Sequence, residues 1–267
     1  MAAGPTTAEK SGANASKGSS EAPSRTGTRN GKFRVPGTRA LLVALAVLLF
    51  AAGGFWALYG SSWFRVEHVK TSGTAVLTPR EVEAVAAVPM GAPLVTVDTE
   101  AIGARLREEF PRIESVDVVR SWPHGIGLKV TERKPVLLME KGGKFIEVDA
   151  TGVRFATVDT APRGVPRLAL DSASSPSLRR FGADRLLREA VRVRGELPAE
   201  IARDTRVVRV TSYDSVTLEL TRGRTVFWGS GEHGPVKARV LTALLKATPK
   251  AGHFDVSAPT APASSGS

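Results

Sequence analysis

The chain has 267 residues, a net charge of +11 and no cysteine. Without cysteine there is no disulfide framework and no thiolate metal site, so any part outside the cytoplasm must hold itself with packed apolar cores. The charge is uneven, with seven Lys and Arg against two Asp and Glu in the first 64 residues and +6 in the rest. A basic leader without aromatic interleaving reads as a membrane topology signal rather than a nucleic-acid surface.

Residues 1–39 are rich in Gly, Ala, Ser, Thr and Pro, with Phe33 and Val35 almost the only large apolar side chains, which predicts a disordered cytoplasmic tail. Ala40 to Tyr59 then runs for 20 residues without a charge. A helix of that length rises about 30 Å, the hydrocarbon thickness of a bilayer. The expected transmembrane helix covers residues 40–63, with Trp56, Tyr59 and Trp63 at its outer end. A cleaved signal has an apolar region of only about 7–15 residues and exits through small side chains, unlike this aromatic exit. Arg25, Arg29, Lys32, Arg34 and Arg39 precede the run without an acid, whereas Arg65 and Lys70 beyond it are offset by Glu67. The positive-inside bias therefore places the N-terminus in the cytoplasm and everything after Phe64 outside.

From Phe64 the alternation of Phe64, Val66 and Val69 predicts a strand ending at Ser72-Gly73. Thr78-Pro79-Arg80-Glu81 is a capping box with proline at the first helical position, followed by Val82, Val85 and Ala86 at helical spacing. Gly91-Ala92-Pro93 breaks that helix, Asp98 caps a second, and Ile102, Leu106 and Phe110 line one face of it. Val116 and Val118, the turn Trp122-Pro123-His124-Gly125, then Ile126, Leu128 and Val130 give a hairpin, with Trp122 as an apolar plate at its end. Glu132-Arg133-Lys134-Pro135 reads as a stiff, solvated connector between two domains. Beyond it, Val136 to Met139, Phe145 to Val148 and Val153 to Phe155 predict a meander. A helix over Ala183 to Arg194 turns Leu186, Leu187, Ala190 and Val191 inward and Arg185, Arg188 and Arg192 outward, with Gly195 closing it. Val207 to Trp228 reads as an antiparallel run, Pro235 to Lys246 as a helix and His253 to Ser257 as the last strand. The fold class is α+β.

Catalytic readings find little support. Gly229-Ser230-Gly231-Glu232-His233-Gly234 satisfies G-x-G-x-x-G between a strand and a helix, with Asp255 at the expected distance. Yet Asp255 falls inside the last predicted strand, 12 residues before the sequence ends, which leaves no room for the rest of a dinucleotide fold. His68, His124, His233 and His253 lie far apart without metal-ligand spacing, and no nucleophile signature is present. The expectation is a protein that is no enzyme, with no cofactor, metal, nucleic acid or small-molecule substrate.

Several segments together resemble one family. They are Gly91-Ala92-Pro93-Leu94 leading to Val97-Asp98, Pro111-Arg112-Ile113, Arg120-Ser121-Trp122-Pro123, Val130 to Val136, Val148-Asp149-Ala150-Thr151-Gly152 and Phe254 to Pro259. In this order behind a basic tail and a single span they resemble FtsQ/DivIB, the bitopic bacterial division proteins, and the small-residue leader and ending are similar to the actinobacterial branch. The resemblance implies a polypeptide-transport-associated (POTRA) domain at 64–133 with strand-helix-helix-strand-strand order, a β-rich domain at 134–259 with two or more helices, and a disordered tail at 260–267. Proteobacterial members instead run on through another strand. It further implies a scaffold at the division septum that binds FtsB/DivIC-like and FtsL-like proteins, and through them FtsW and the septal transpeptidase, in regulating septal peptidoglycan synthesis. It places the partner site on Phe254, Asp255, Val256 and Ser257, with Phe227 and Trp228 nearby, on a strand at or near a sheet edge. The alternative is a POTRA-containing export or assembly component binding secreted chains, disfavoured by the absence of a predicted β-barrel or further spans.

Overall fold

The computed structural model describes residues 37–170 and 182–266. The expected disordered tail lies almost wholly outside the described residues, as do Arg25, Arg29, Lys32 and Arg34 of the basic flank. Helix α1 covers Thr38–Tyr59, two residues earlier than the uncharged run, and none of its side chains is buried in the protein. It ends before Trp63, which the expected span had included. Leu41, Leu45, Leu48 and Phe50 are among its exposed apolar side chains, a surface that suits hydrocarbon.

After α1 the chain makes a 3-10 turn at Ser62–Phe64 before entering strand β1, His68–Ser72. The predicted strand therefore starts four residues late. Phe64 and Val66 alternate because the extended segment before β1 buries Val66, not because it forms part of that strand. Helix α2, Pro79–Ala86, opens on the predicted capping box, with Thr78 and Glu81 bonded reciprocally. Helix α3, Thr99–Glu109, is capped by Asp98, whose carboxylate accepts from the N–H groups of Glu100 and Ala101. Strands β2, Ile113–Ser121, and β3, Gly125–Glu132, form the hairpin. The sheet order is β1-β3-β2, with β1 parallel and β2 antiparallel to β3. Val82, Ile102, Leu106, Ile126 and Leu128 lie in the core between this sheet and its two helices.

A nine-stranded sheet comes next, in the order β12-β11-β10-β9-β8-β7-β4-β5-β6. Strands β4 (Leu137–Lys141), β5 (Lys144–Val148) and β6 (Arg154–Val158) are the predicted meander. Strand β7, Arg167–Leu170, has no clear signature in the sequence, yet it joins the meander to the rest by parallel pairing with β4 and with β8, Thr205–Ser212. The connection from β7 to β8 includes helices α4 (Ala183–Glu196) and α5 (Ala199–Asp204). Strands β9 (Ser215–Leu220) and β10 (Thr225–Gly229) complete the antiparallel run, and helix α6 (Gly234–Ala247) crosses over to β11, His253–Asp255, parallel to β10. Strand β12, Ala263–Ser265, then pairs antiparallel with β11. The tail expected to be disordered from residue 260 thus contains a further strand that its small-residue composition hid.

The three helices α4 to α6 share one core with the large sheet. Period-2 burial in β8 and β9 turns Val208, Val210, Val216, Leu218 and Leu220 toward the helices and leaves the opposite face more open.

The segment read as a connector is not solvated throughout. Glu132 is 8% exposed, and its carboxylate accepts from the N–H groups of Ala75, Val76 and Leu77, fixing the loop between β1 and α2. Arg133 reaches forward to Asp149 at 2.5 Å and back to the carbonyl of Pro111 at 3.1 Å. A buried carboxylate must be paired or hydrogen-bonded, and three backbone donors satisfy the one on Glu132.

Candidate interaction site

At the β12 end of the large sheet, alternation decides which side chains are available. Across the register, Thr217 of β9, Phe227 of β10, Asp255 of β11 and Ala263 of β12 form one row. Phe227 is 38% exposed on the open face, whereas its neighbours Val226 and Trp228 are fully buried against the helices. In the same way Phe254 and Val256 are 2% and 0% exposed while Asp255 points out. Of the six residues expected to contact a partner, Trp228, Phe254 and Val256 are therefore side chains packed in the core rather than presented on the surface. The period-2 rule separates Phe254 and Val256 from Asp255 in the sequence itself. That Trp228 faces inward, and that its neighbour Phe227 stays open, required the tertiary structure.

What remains is a shallow groove of about 210 Å³ lined by Thr217, Thr225, Phe227, His253, Asp255 and Ser264. Thr225 Oγ1 and His253 Nδ1 are 2.6 Å apart along its floor. Asp255 is held by its own turn, accepting from Ser257 N–H at 2.9 Å and from Ser257 Oγ at 2.7 Å. Ser257 itself lies close over Gly229, where φ is +76° and a Cβ would meet the Ser257 side chain. Beside the groove, β12 is bonded, among the described residues, to β11 alone, so it and not β11 is the edge strand on this side. Such an edge offers unpaired backbone groups to an extended segment.

The glycine loop between β10 and α6 has a different role from the one its motif suggests. Glu189 on α4, 5% exposed, accepts from the N–H of Gly231 at 2.6 Å. A Cβ at Gly231 would collide with that carboxylate, and one at Gly234 with the carboxylate of Glu196. Two acids of α4 thus occupy the place at the start of α6 where a phosphate would bind. Lys237, 2% exposed, closes the cluster by donating to the carbonyls of Trp228 at 3.0 Å and Ser230 at 2.8 Å. Burial pulls the Lys237 ammonium below its ordinary range and pushes the Glu196 carboxyl up. Glu189 falls on the apolar stripe with Leu186, Ala190 and Val193, and that misplaced charge is the sequence signal for the cluster. Among the described residues no group of three or more His, Asp or Glu could hold a metal ion.

The profile of the POTRA domain, FtsQ-type, matches residues 64–133. The cell division protein FtsQ of Streptomyces venezuelae is 86% identical over 271 aligned residues, covering 100% of both chains. That of Streptomyces coelicolor is 60% identical over 270 residues, covering 99% of this chain and 100% of its own. That of Mycolicibacterium smegmatis is 32% identical over 228 residues, 85% of this chain and 65% of its own. The solved major extracytoplasmic domain of the division protein DivIB from Geobacillus stearothermophilus matches at 17% identity with a TM-score of 0.33, over 45% of this chain and 96% of that domain. High identity to the Streptomyces proteins along the whole chain, which has among its described residues one apolar helix of bilayer length and a POTRA unit, shows that the chain belongs to the FtsQ family of bacterial cell division proteins.

Proposed function

We propose that this chain is a non-catalytic scaffold of the divisome, held in the cell membrane by α1 with its N-terminus in the cytoplasm and residues from Phe64 on the outside, enriched at the division septum. Its external part binds FtsB/DivIC-like and FtsL-like division proteins and, through them, helps regulate septal peptidoglycan synthesis by FtsW and its transpeptidase partner. The observation that carries this reading is the end of the large sheet, where a strand bonded on one side among the described residues lies beside an open groove bearing Phe227 and Asp255. An extended partner segment adds to β12 through main-chain hydrogen bonds, with Phe227, Asp255 and Ser257 supplying side-chain contacts. Phe254, Val256 and Trp228 act behind it, as the packed wall that keeps β11 in register.

That burial decides the choice of variants. Truncation after Gly252 would remove Phe254 and Val256 from the core, so deletion of residues 260–267 is the cleaner variant, paired with Asp255→Lys. Both are expected to keep the circular dichroism of the parent and to lose capture of a purified FtsB/DivIC-like protein. Folded variants that retain full capture move the site elsewhere, first to the POTRA unit. Reporter fusions test the topology: external activity is expected at the C-terminus and none at Gly31.

A further inference from the structure

We propose that the end of the POTRA unit where the chain enters from the span docks on the lipid surface through Trp63, Met90 and Trp122. The proposal rests on α1 being the membrane anchor. Three segments far apart in sequence meet at this end. The chain leaving α1 bonds to the turn after α2, Val66 N–H to the carbonyl of Ala92 at 2.9 Å and Gly91 N–H to that of Val66 at 2.8 Å. Arg65 adds a guanidinium bond to the carbonyl of Gly91 at 2.8 Å. The same segment bonds to the tip of the β2–β3 hairpin, Glu67 N–H to the carbonyl of His124 at 2.8 Å, and the Phe64 and Trp122 rings meet edge-on at 5.4 Å.

Each of the three segments leaves a large apolar side chain in the open: Trp63 is 74% exposed, Met90 57% and Trp122 50%. None has a place in either core. Trp122, read from the sequence as a plate finishing the hairpin, covers Phe64 with one edge and leaves half its surface free. Phe64 follows Tyr59, the last residue of α1, by five positions, a reach of at most about 18 Å from the membrane exit. Exposed apolar groups so close to a bilayer have one apolar phase within reach, and indole rings favour the headgroup region because the ring is apolar and its N–H is polar. The partly exposed guanidinium of Arg65 suits anionic headgroups at the same level. Docking here fixes the tilt of the POTRA unit, which a bare tether would leave free.

The absence of cysteine makes single labelling sites available. The full chain is reconstituted in nanodiscs of phosphatidylcholine and phosphatidylglycerol with a nitroxide on the headgroup, carrying a fluorophore at Ser121→Cys beside the hairpin tip or at Thr160→Cys after β6, both exposed positions. Quenching severalfold stronger at position 121 than at 160 is expected. In a Trp63→Glu, Met90→Glu background it should fall to the level seen at 160 with an unchanged dichroism spectrum, and Met90→Glu alone, in an exposed turn, should shift it part of the way. Equal quenching at the two sites overturns the proposal. So does strong quenching at 121 that neither background reduces, because proximity would then come from the tether alone.

Discussion

Arg112 and Glu147 meet at 2.6 Å, Nη2 to Oε2, across the junction of the two sheets, with side chains only 14% and 4% exposed. The guanidinium also lies 5.1 Å above the Phe155 ring of β6, so the start of β2 is tied to β5 and β6 at one point. Arg133 and Asp149 form a second pair bridging the same two sheets. Removing one partner of a buried pair leaves the other charge desolvated and costs about 3–5 kcal/mol. Arg112→Ala should therefore lower the unfolding free energy by about 3 kcal/mol, and Arg112→Leu with Glu147→Met should recover most of the loss. Denaturant titration measures both, and a single-variant loss below about 1 kcal/mol would show that water reaches Glu147 after all.

Asp149 should make stability depend on acid. Burial pushes its carboxyl up, but bonds from Thr151 Oγ1, Val153 N–H, the Arg133 guanidinium and Thr151 N–H outweigh it and hold the group below the usual carboxylate range. A carboxyl lowered in the folded state contributes stability that is complete above its unfolded value of about 3.9 and is lost as pH falls through the folded value. The parent should lose stability below about pH 4, and Asp149→Asn, less stable at neutral pH, should show a flatter acid limb. Parallel acid limbs for the two proteins would contradict this role for Asp149.

Glu196 carries the opposite sign. One of its oxygens is buried without a hydrogen-bond partner, and burial raises the carboxyl despite attraction from Arg192 and Lys237, with Glu189 adding repulsion. A carboxyl raised in the folded state contributes stability below its unfolded value of about 4.3 that is lost as pH rises through the folded value. Glu196→Gln is accordingly expected to be more stable than the parent at neutral pH, with the gap closing near pH 4. Melting temperatures across that range decide it, and a Glu196→Gln protein less stable than the parent at neutral pH would mean that the Arg192 pair dominates.

Gly231→Ala should cost about 1–3 kcal/mol, because the new methyl displaces the Glu189 carboxylate from the loop N–H it accepts. Combined with Glu189→Ala the cost should be smaller than the sum of the two, a coupling of at least about 0.5 kcal/mol expected of groups in contact. The parent should meanwhile show no nucleotide-dependent thermal shift. A ligand at 100 times its dissociation constant would add about 2.7 kcal/mol, so saturable stabilisation by ATP or NAD would be plain and would refute the structural role given to this loop.

Local signals in the sequence carried the α1 span, both capped helices of the POTRA unit and the β8–β10 run. An uncharged run of bilayer length, a capping box and strict alternation are each set by neighbours a few residues apart. Strands β7 and β12 escaped because Arg167–Leu170 and the small residues of Ala263–Ser265 are too short a pattern to stand above their surroundings. Pairing with distant strands makes them strands.

Short-range patterns encode where a helix of bilayer length lies, where helices begin, and which residues of a strand share a face. Packing between distant elements set which strand lies at the sheet edge, that Phe227 stays open while Trp228 is enclosed, and that Glu189 and Glu196 fill the cradle of the glycine motif. Each of these depends on which distant element packs alongside. Burial and hydrogen-bond satisfaction are properties of that neighbour, and no periodicity within one segment specifies it.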